Sequence, residues 1–522
     1  MVERRSVVRS IAAGALSLTG LWLLAGCASI DFDYPRIEST AVTDTVDTTI
    51  GARVSELVAA ETAGYSGFRT LTDGIDALSV RLLLAERAER SIDTQYYLLK
   101  PDEAGLAFLH ALLRAADRGV RVRLLLDDMF VIGKDRGLAA FDAHPNIEVR
   151  VVNPFRRGKV GLVWSGLTDF SRVTRRMHAK SFTVDGQVTI VGGRNIANEY
   201  FGADKLAKFG DLDVVGVGPV ARDAARMFDA YWNHETALPL PAFADMPEDP
   251  AAGLESLRAL LEDSRERNLE SQYAQALKAT VLRFLEDDAA ALEWTPYQLV
   301  FDMPDKHTRG NPGPASGITA PLGEALSSAE RELIILTPYF VLDKEGVRGI
   351  VALQERGVQV TIVTNSLAAN NHSVVHGGYA PTRKPLLASG VRIYELRPDA
   401  TVKGSEIVSD DDTRATLHTK AFFVDRRKSF IGSFNFNQRS INRDSESGVI
   451  IESETLGRAF AEGVEAALDD QAWQLFLDED GKLRWRGFDD GVETVYQKDP
   501  ETTWGQRVAA TLSRILPVKS QL

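Results

Sequence analysis

Two stretches of this chain carry the same polar pattern at the same spacing, so the fold must present two equivalent halves. The first reads His178-Ala179-Lys180, four residues, Asp185, six residues, then Gly192-Gly193-Arg194-Asn195. The second reads His418-Thr419-Lys420, four residues, Asp425, six residues, then Gly432-Ser433-Phe434-Asn435. Each His precedes its Asn by 17 positions, in a chain with only 8 histidines. Duplicated polar constellations in apolar surroundings mark a site more often than a pair of core histidines. A zinc site does not fit, because Lys is a poor ligand and no Cys or second His stands at ligand spacing.

The surrounding sequence repeats as well. Ile92 to Leu98 alternates like a strand, Leu106 to Arg118 has helical spacing, and Gly119 to Leu126 reads as a strand ending in Asp127-Asp128. Another strand covers Ile147 to Val152, and a hairpin from His178 to Val191 turns at Asp185-Gly186. The second half follows the same plan with strands at 330–336, 357–363 and 391–396 and a hairpin at 418–430. The fold class is α/β, a tandem duplication of one unit. At 522 residues two domains are expected. We place them at 51–240 and 291–480, joined by a helical linker at 241–290 and followed by a C-terminal extension at 481–522. Within that extension Trp504 to Leu516 is weakly amphipathic.

The first residues are expected to be a targeting segment. Arg4, Arg5 and Arg9 precede an apolar run from Ile11 to Leu24, too short to span a bilayer. Residues 1–26 read as a lipoprotein signal peptide, because Leu24-Ala25-Gly26-Cys27 resembles a bacterial lipobox and Cys27 is the only cysteine. Residues 27–50, polar and rich in Thr and Asp, read as a tether. Ala28 after the lipidation site implies the periplasmic face of the outer membrane; twin-arginine and general export both remain open. The net charge of −13 argues against a nucleic-acid partner.

Strand alternation puts His178 with Lys180, and His418 with Lys420, on common faces. If the halves pack face to face, two imidazoles meet across a pocket of ammonium and amide donors. That suits a phosphodiester: one neutral His attacks phosphorus and the other, protonated, gives its proton to the leaving alkoxide. Lys180, Lys420, Asn195 and Asn435 would hold the non-bridging oxygens, so no metal or other cofactor is expected. Asp211 and Glu446 are the candidate carboxylates that orient the imidazoles. Asp185 and Asp425 are expected among the site residues, in a supporting, structural role within the site.

The duplicated H-x-K-x4-D followed by G-G/S-x-N resembles the phospholipase D superfamily over about residues 60–480. Ile92–Tyr97, Arg176-Met177-His178, Gly193–Ile196, Phe209–Val214, Thr364–Asn370 and His376–Tyr379 resemble bacterial cardiolipin synthases, the C-like branch in particular. The resemblance implies two α/β/α sandwich domains with one shared active site and a phosphohistidine intermediate. By that similarity His178 is the nucleophile and His418 the general acid, though the sequence leaves the reverse open. It implies phosphatidyl transfer between anionic and zwitterionic membrane phospholipids, making cardiolipin, with His376 among the substrate contacts. Hydrolysis to phosphatidic acid is the alternative, and a nuclease the third reading. Ahead of the first motif, Arg156, Arg157 and Lys159, interleaved with Trp164 and Phe170, are expected to form a loop that meets anionic head groups.

Overall fold

The computed structural model describes residues 29–286, 292–308, 317–370, 373–408, 413–489 and 491–514. The first half contributes β1 (Ser66–Leu71), β2 (Ser91–Tyr96), β3 (Arg121–Asp127), β4 (Ile147–Val152) and β5 (Ser181–Val184). It continues through β6 (Val188–Gly192), β7 (Ala207–Gly210), β8 (Asp213–Val217), β9 (Ala237–Pro239) and β10 (Glu293–Thr295). The second half contributes β11 (Tyr297–Phe301), β12 (Glu332–Leu336), β13 (Gln359–Asn365), β14 (Arg392–Leu396), β15 (Arg414–Leu417) and β16 (Ala421–Val424). The last strands are β17 (Lys428–Gly432), β18 (Ser447–Glu452), β19 (Ala472–Leu477), β20 (Leu483–Asp489) and β21 (Val492–Tyr496).

The duplication is visible in the strand order. One sheet runs β10-β1-β8-β6-β5-β2-β3-β4-β9, the other β11-β18-β17-β16-β12-β13-β14-β19-β20-β21. From β1 to β9 and from β11 to β19 the two orders correspond strand for strand. In each, the central β2-β3-β4 or β12-β13-β14 trio is parallel and joined by helices. Parallel strands need such crossovers. The helices Glu103–Asp117 and Lys344–Glu355 start on the capping carboxylates of Asp102 and Asp343. Each ends two residues before a glycine at positive φ, Gly119 (93°) and Gly357 (92°), which then feeds β3 or β13. The strands are covered on both faces: Val122, Leu124 and Leu126, and Val360 and Ile362, are fully buried on one face, and Arg123 and Leu125, and Thr361 and Val363, are buried on the other.

The halves meet along the motif strands. Phe68, Val191 and Val214 of one sheet share a core with Ile334, Phe423, Ile431 and Val449 of the other. A small parallel ribbon, β7 with β15, crosses from half to half and ends at Gly210 and Leu417.

Three boundaries differ from the sequence expectation. Residues 29–48 are not a free tether. Ile30, Phe32 and Tyr34 pack on the first core, and Ser39 and Ala41 receive side chains of Arg123, Asn233 and Asp229. Residues 241–290 do form helices, Pro250–Asn268 and Gln272–Glu286, but these cover the first half, with Leu261 and Tyr273 in its core. The crossing between sheets falls at Pro296, between β10 and β11. The C-terminal extension continues the second sheet as β20 and β21, and its helix Trp504–Ser513 packs on the helix Ser373–Tyr379. Cys27 and the rest of the targeting segment lie outside the described residues.

Candidate active site

Each catalytic pattern enters the site just ahead of a strand: His178 to Lys180 precede β5, and His418 to Lys420 precede β16. Both segments are tied to the opposite half. His178 N–H donates to the Ser445 carbonyl (2.9 Å), and Ser445 N–H to the Arg176 carbonyl (2.9 Å). His418 N–H donates to the Gly210 carbonyl (2.7 Å), at the end of the crossing ribbon. These pairings bring Glu446 to the first motif and Asp211 to the second.

The carboxylates therefore change partners. His178 Nδ1 lies 2.8 Å from Glu446 Oε2, and His418 Nδ1 lies 2.5 Å from Asp211 Oδ2. A carboxylate at Nδ1 fixes the tautomer and aims Nε2 into the shared space. Aromatic rings hold the imidazole planes: Tyr97 against His178 at 5.0 Å, Tyr200 against His418 at 4.9 Å, and Phe209 stacked on His418 at 5.6 Å. The two histidines are only 8% and 7% exposed, so the site is set deep between the halves.

The two carboxylates are not equivalent. Ser433 Oγ donates to Glu446 Oε2 (2.5 Å) and Ser440 Oγ to Oε1 (2.6 Å). The first motif has Gly193 where the second has Ser433. A Cβ at Gly193 would stand 2.1 Å from Asp211 Oδ1, so no side chain fits there. Beneath Glu446, Asp302 Oδ2 accepts its N–H (3.0 Å) and Lys306 Nζ (2.8 Å).

Burial dominates the electrostatics. It pushes the His178 imidazole below its ordinary value against the pull of Glu446, and that of His418 down to about 3 against the pull of Asp211. The Lys180 ammonium is lowered to about 7 and that of Lys420 to about 8, again by burial. Burial opposes ionisation of Glu446 and Asp211 too. It is outweighed at Glu446 by His178, Lys180 and the Ser433 hydroxyl, which bring that carboxyl to about 2, and at Asp211 by His418 and Lys420. Below the lysine values, where both side chains are ammonium, the set of two ammonium groups, two carboxylates and two neutral imidazoles is uncharged. A phosphodiester monoanion would add one negative charge and draw one proton onto an imidazole.

The Asn side chains sit beside their motifs but in different states. Asn195 Oδ1 accepts Leu98 N–H (3.2 Å) and its amide donates to Tyr200 Oη (2.9 Å). Asn435 Oδ1 is buried with no hydrogen-bond partner among the described residues.

Asp185 and Asp425 are outside the site, contrary to expectation. Each stands at the far end of a four-residue strand, roughly 16 Å of extended chain from its Lys. Both occupy hairpin turns at positive φ, 50° and 52°. Asp185 accepts the N–H groups of Glu89, Arg90 and Ser91; Asp425 accepts those of Glu330, Arg331 and Glu332. They fasten the starts of β2 and β12 to the hairpins. Asp185→Asn, which tolerates the turn but loses an acceptor oxygen, should lower stability by about 1–3 kcal/mol. Thermal unfolding should show that loss while the folded protein keeps full turnover.

His376 is not a substrate contact. It is fully buried in the second half, with Nε2 3.4 Å from Asp499 Oδ1, in a cluster where Arg383 bridges Asp499 and Glu395. That cluster clasps the C-terminal arm. Arg157 is not free for head groups either. Its guanidinium is divided between Asp128 (2.6 Å) and Asp135 (2.7 Å) and lies over the Phe243 ring. Arg156 Nε is 3.5 Å from Asp169, while Lys159 is exposed. The expected loop is a helix, Gly158–Thr168. Tyr97, Tyr200, Phe209 and Ser440 were missed, since nothing in their spacing marks them; Ser433 could have been noticed as the difference between the two motifs.

A sequence-family profile described as "Cardiolipin synthase, PLD-like domain" matches residues 83–232 and 322–468, more than half of the chain. The chain is 40% identical to cardiolipin synthase C of Escherichia coli over 87% of its own length and 96% of that protein's. It is 28% identical to an uncharacterized protein of Helicobacter pylori over 96% of its length and 98% of the relative's. Among solved structures, phosphatidylserine synthase of Haemophilus influenzae shares the fold, with a TM-score of 0.56 at 15% identity, over 91% of this chain and 100% of that one.

Proposed function

The chain belongs to the phospholipase D-like cardiolipin synthase family, and on that premise we propose that it transfers a phosphatidyl group between phospholipids to make cardiolipin. The observation that carries this reading is the pair of buried imidazoles, each held by the other half's carboxylate and flanked by a buried lysine. His178 Nε2 attacks phosphorus of the donor lipid, and the bond to the head-group oxygen breaks. His418 gives its Nε2 proton to that oxygen, and the head-group alcohol leaves. A hydroxyl of the acceptor lipid then passes its proton to His418 and attacks phosphorus, and the phosphorus–nitrogen bond to His178 breaks. Lys180 and Lys420 balance charge on the non-bridging oxygens through both steps.

Supporting the assignment of roles, Ser433 and Ser440 draw charge from Glu446, which weakens its hold on a protonated His178. Asp211 has no such hydroxyl donor, because Gly193 stands where Ser433 does; the Leu212 N–H reaches its Oδ1 (2.8 Å), and its Oδ2 faces His418. The pattern at Cys27 supports a lipid anchor in the bacterial envelope, at the periplasmic face of the outer membrane; labelled palmitate should enter the wild type and not Cys27→Ser.

The test is product analysis. The purified protein, given phosphatidylglycerol and phosphatidylethanolamine in vesicles, should yield cardiolipin and should do so in EDTA. Phosphatidic acid alone would make the protein a phospholipase. No product from any phospholipid, with cleavage of DNA, would overturn the reading.

A further inference from the structure

The helix Gly158–Thr168 is inside out. Its protein-facing positions are small, Gly161 and Ser165, with Ser165 Oγ accepting Arg156 N–H (3.0 Å). Its large apolar side chains face solvent: Val160 is 73% exposed, Val163 64%, Trp164 45% and Leu167 75%. Phe170, next on the chain, is 52% exposed. These positions follow i, i+3, i+4 and i+7, the stripe that a globular protein normally turns to its core. Single exposed apolar residues need no explanation, but a continuous stripe on one helix does. From Val160 to Thr168 the segment carries no charge, and exposed Lys159 stands at its start.

Two further observations say what covers this stripe. The first is where the N-terminal segment leaves the protein. Phe32 lies under the Arg172 guanidinium at 5.3 Å, and Arg172 donates to Asn153 Oδ1 and the Pro154 carbonyl, just before the helix. Cys27 is five residues from Phe32, at most about 18 Å of extended chain. An anchor at Cys27 would therefore hold this face, and not the opposite one, against a bilayer. The second is the path to the chemistry. Phe130, 41% exposed, packs on Tyr97 at 5.2 Å, and Tyr97 packs on His178 at 5.0 Å. Asp128 ties the Phe130 loop to the base of the helix through Phe155 N–H (2.6 Å) and Arg157. The stripe, the chain exit and the aromatic path thus lie at one rim of the site.

We infer that the helix Gly158–Thr168 and Phe170 form an interfacial docking surface that sits in the head-group region of a phospholipid bilayer and presents this rim of the site to it. The inference rests on the phospholipid reading above and adds the surface that meets the lipid. No described helix is long and apolar enough to cross a membrane. An interfacial helix buries one face into the head-group boundary without spanning. Attraction by Arg156 and Arg157 is secondary here, because carboxylates hold both.

The test reads docking apart from turnover. The full-length protein is reconstituted in phosphatidylglycerol vesicles whose acyl chains carry bromine near the head group. Trp164 should be quenched, so the quenched fraction of tryptophan emission should drop in Trp164→Phe, one of 7 tryptophans removed. Emission quenched equally in both proteins would overturn the inference, as would unchanged access of aqueous acrylamide to Trp164 when vesicles are added. Val163→Ser with Leu167→Ser should lower turnover of vesicle lipid roughly 100-fold or more, the loss of two buried apolar side chains, while a short-chain water-soluble phosphodiester turns over as before. Equal losses on both substrates would show that the helix shapes the site instead. Because the quenching needs no reaction, docking without cardiolipin would sink the proposed function alone, and cardiolipin without docking this inference alone.

Discussion

Replacing either His178 or His418 by Ala is expected to reduce phosphatidyl transfer by roughly 10⁴-fold or more, with the double variant no worse than the single ones, because groups that act as a unit do not add. Both imidazoles are buried at the junction of the two sheets and neither half contains a complete set. The variants should fold normally, since each ring caps the core edge and does not fill it. Residual activity of a few per cent in one variant would mean that the second half is scaffold. The two variants should also differ from each other. With a donor whose leaving group needs no proton, His418→Ala should still form the covalent intermediate and His178→Ala should not.

The carboxylates should follow the opposite half. Glu446→Gln keeps the shape of the side chain but lets an amide donate to His178 Nδ1, which leaves the proton on Nε2 and removes the nucleophilic lone pair. A loss of roughly 10³–10⁴-fold is expected, as in other carboxylate–imidazole pairs where the tautomer is reversed. Glu446→Gln should therefore reproduce His178→Ala, including failure to form the intermediate. Asp211→Asn should reproduce His418→Ala and still form it. The reverse assignment would show pairing within each half. The wild-type pH profile carries the lysines. Lys180 and Lys420, lowered by burial to about 7 and about 8, are charged below those values, so kcat/KM should fall as pH rises through them. A bound anion favours the ammonium form, so the alkaline limb of kcat should lie higher.

Much of the fold was legible because the repeat is written in apolar strands. Ile147 to Val152 is the strand read from sequence, and the strands from Glu332, Gln359 and Arg392 lie within two residues of their expected starts. What escaped depends on partners distant in sequence. Residues 29–48 look like a polar tether because much of their order comes from backbone groups docking on Arg123, Arg150 and Asn233, and the one apolar alternation, Ile30, Phe32 and Tyr34, is too short to stand out among the Thr and Asp residues. Arg157 looks like a free cation until the ends of β3 and the following loop place Asp128 and Asp135 beside it. The exchange of Asp211 and Glu446 between halves follows from how β7 meets β15 and how Ser445 meets Met177, and motif spacing cannot express that. Asp185 was misplaced for a plainer reason. The four residues between Lys180 and Asp185 are one whole strand, which carries the carboxylate away from the imidazole.

In the proposed mechanism two halves build one site, and Nε2 of His178 receives the phosphatidyl group. His418→Ala, mixed with a phosphatidyl donor bearing an activated leaving group and quenched in alkali to preserve phosphorus–nitrogen bonds, tests it directly by peptide mass spectrometry. The phosphatidyl adduct is expected on the peptide containing His178, and none when Glu446→Gln is added. An adduct on any other residue, or no adduct in a variant that still binds the donor, would contradict it.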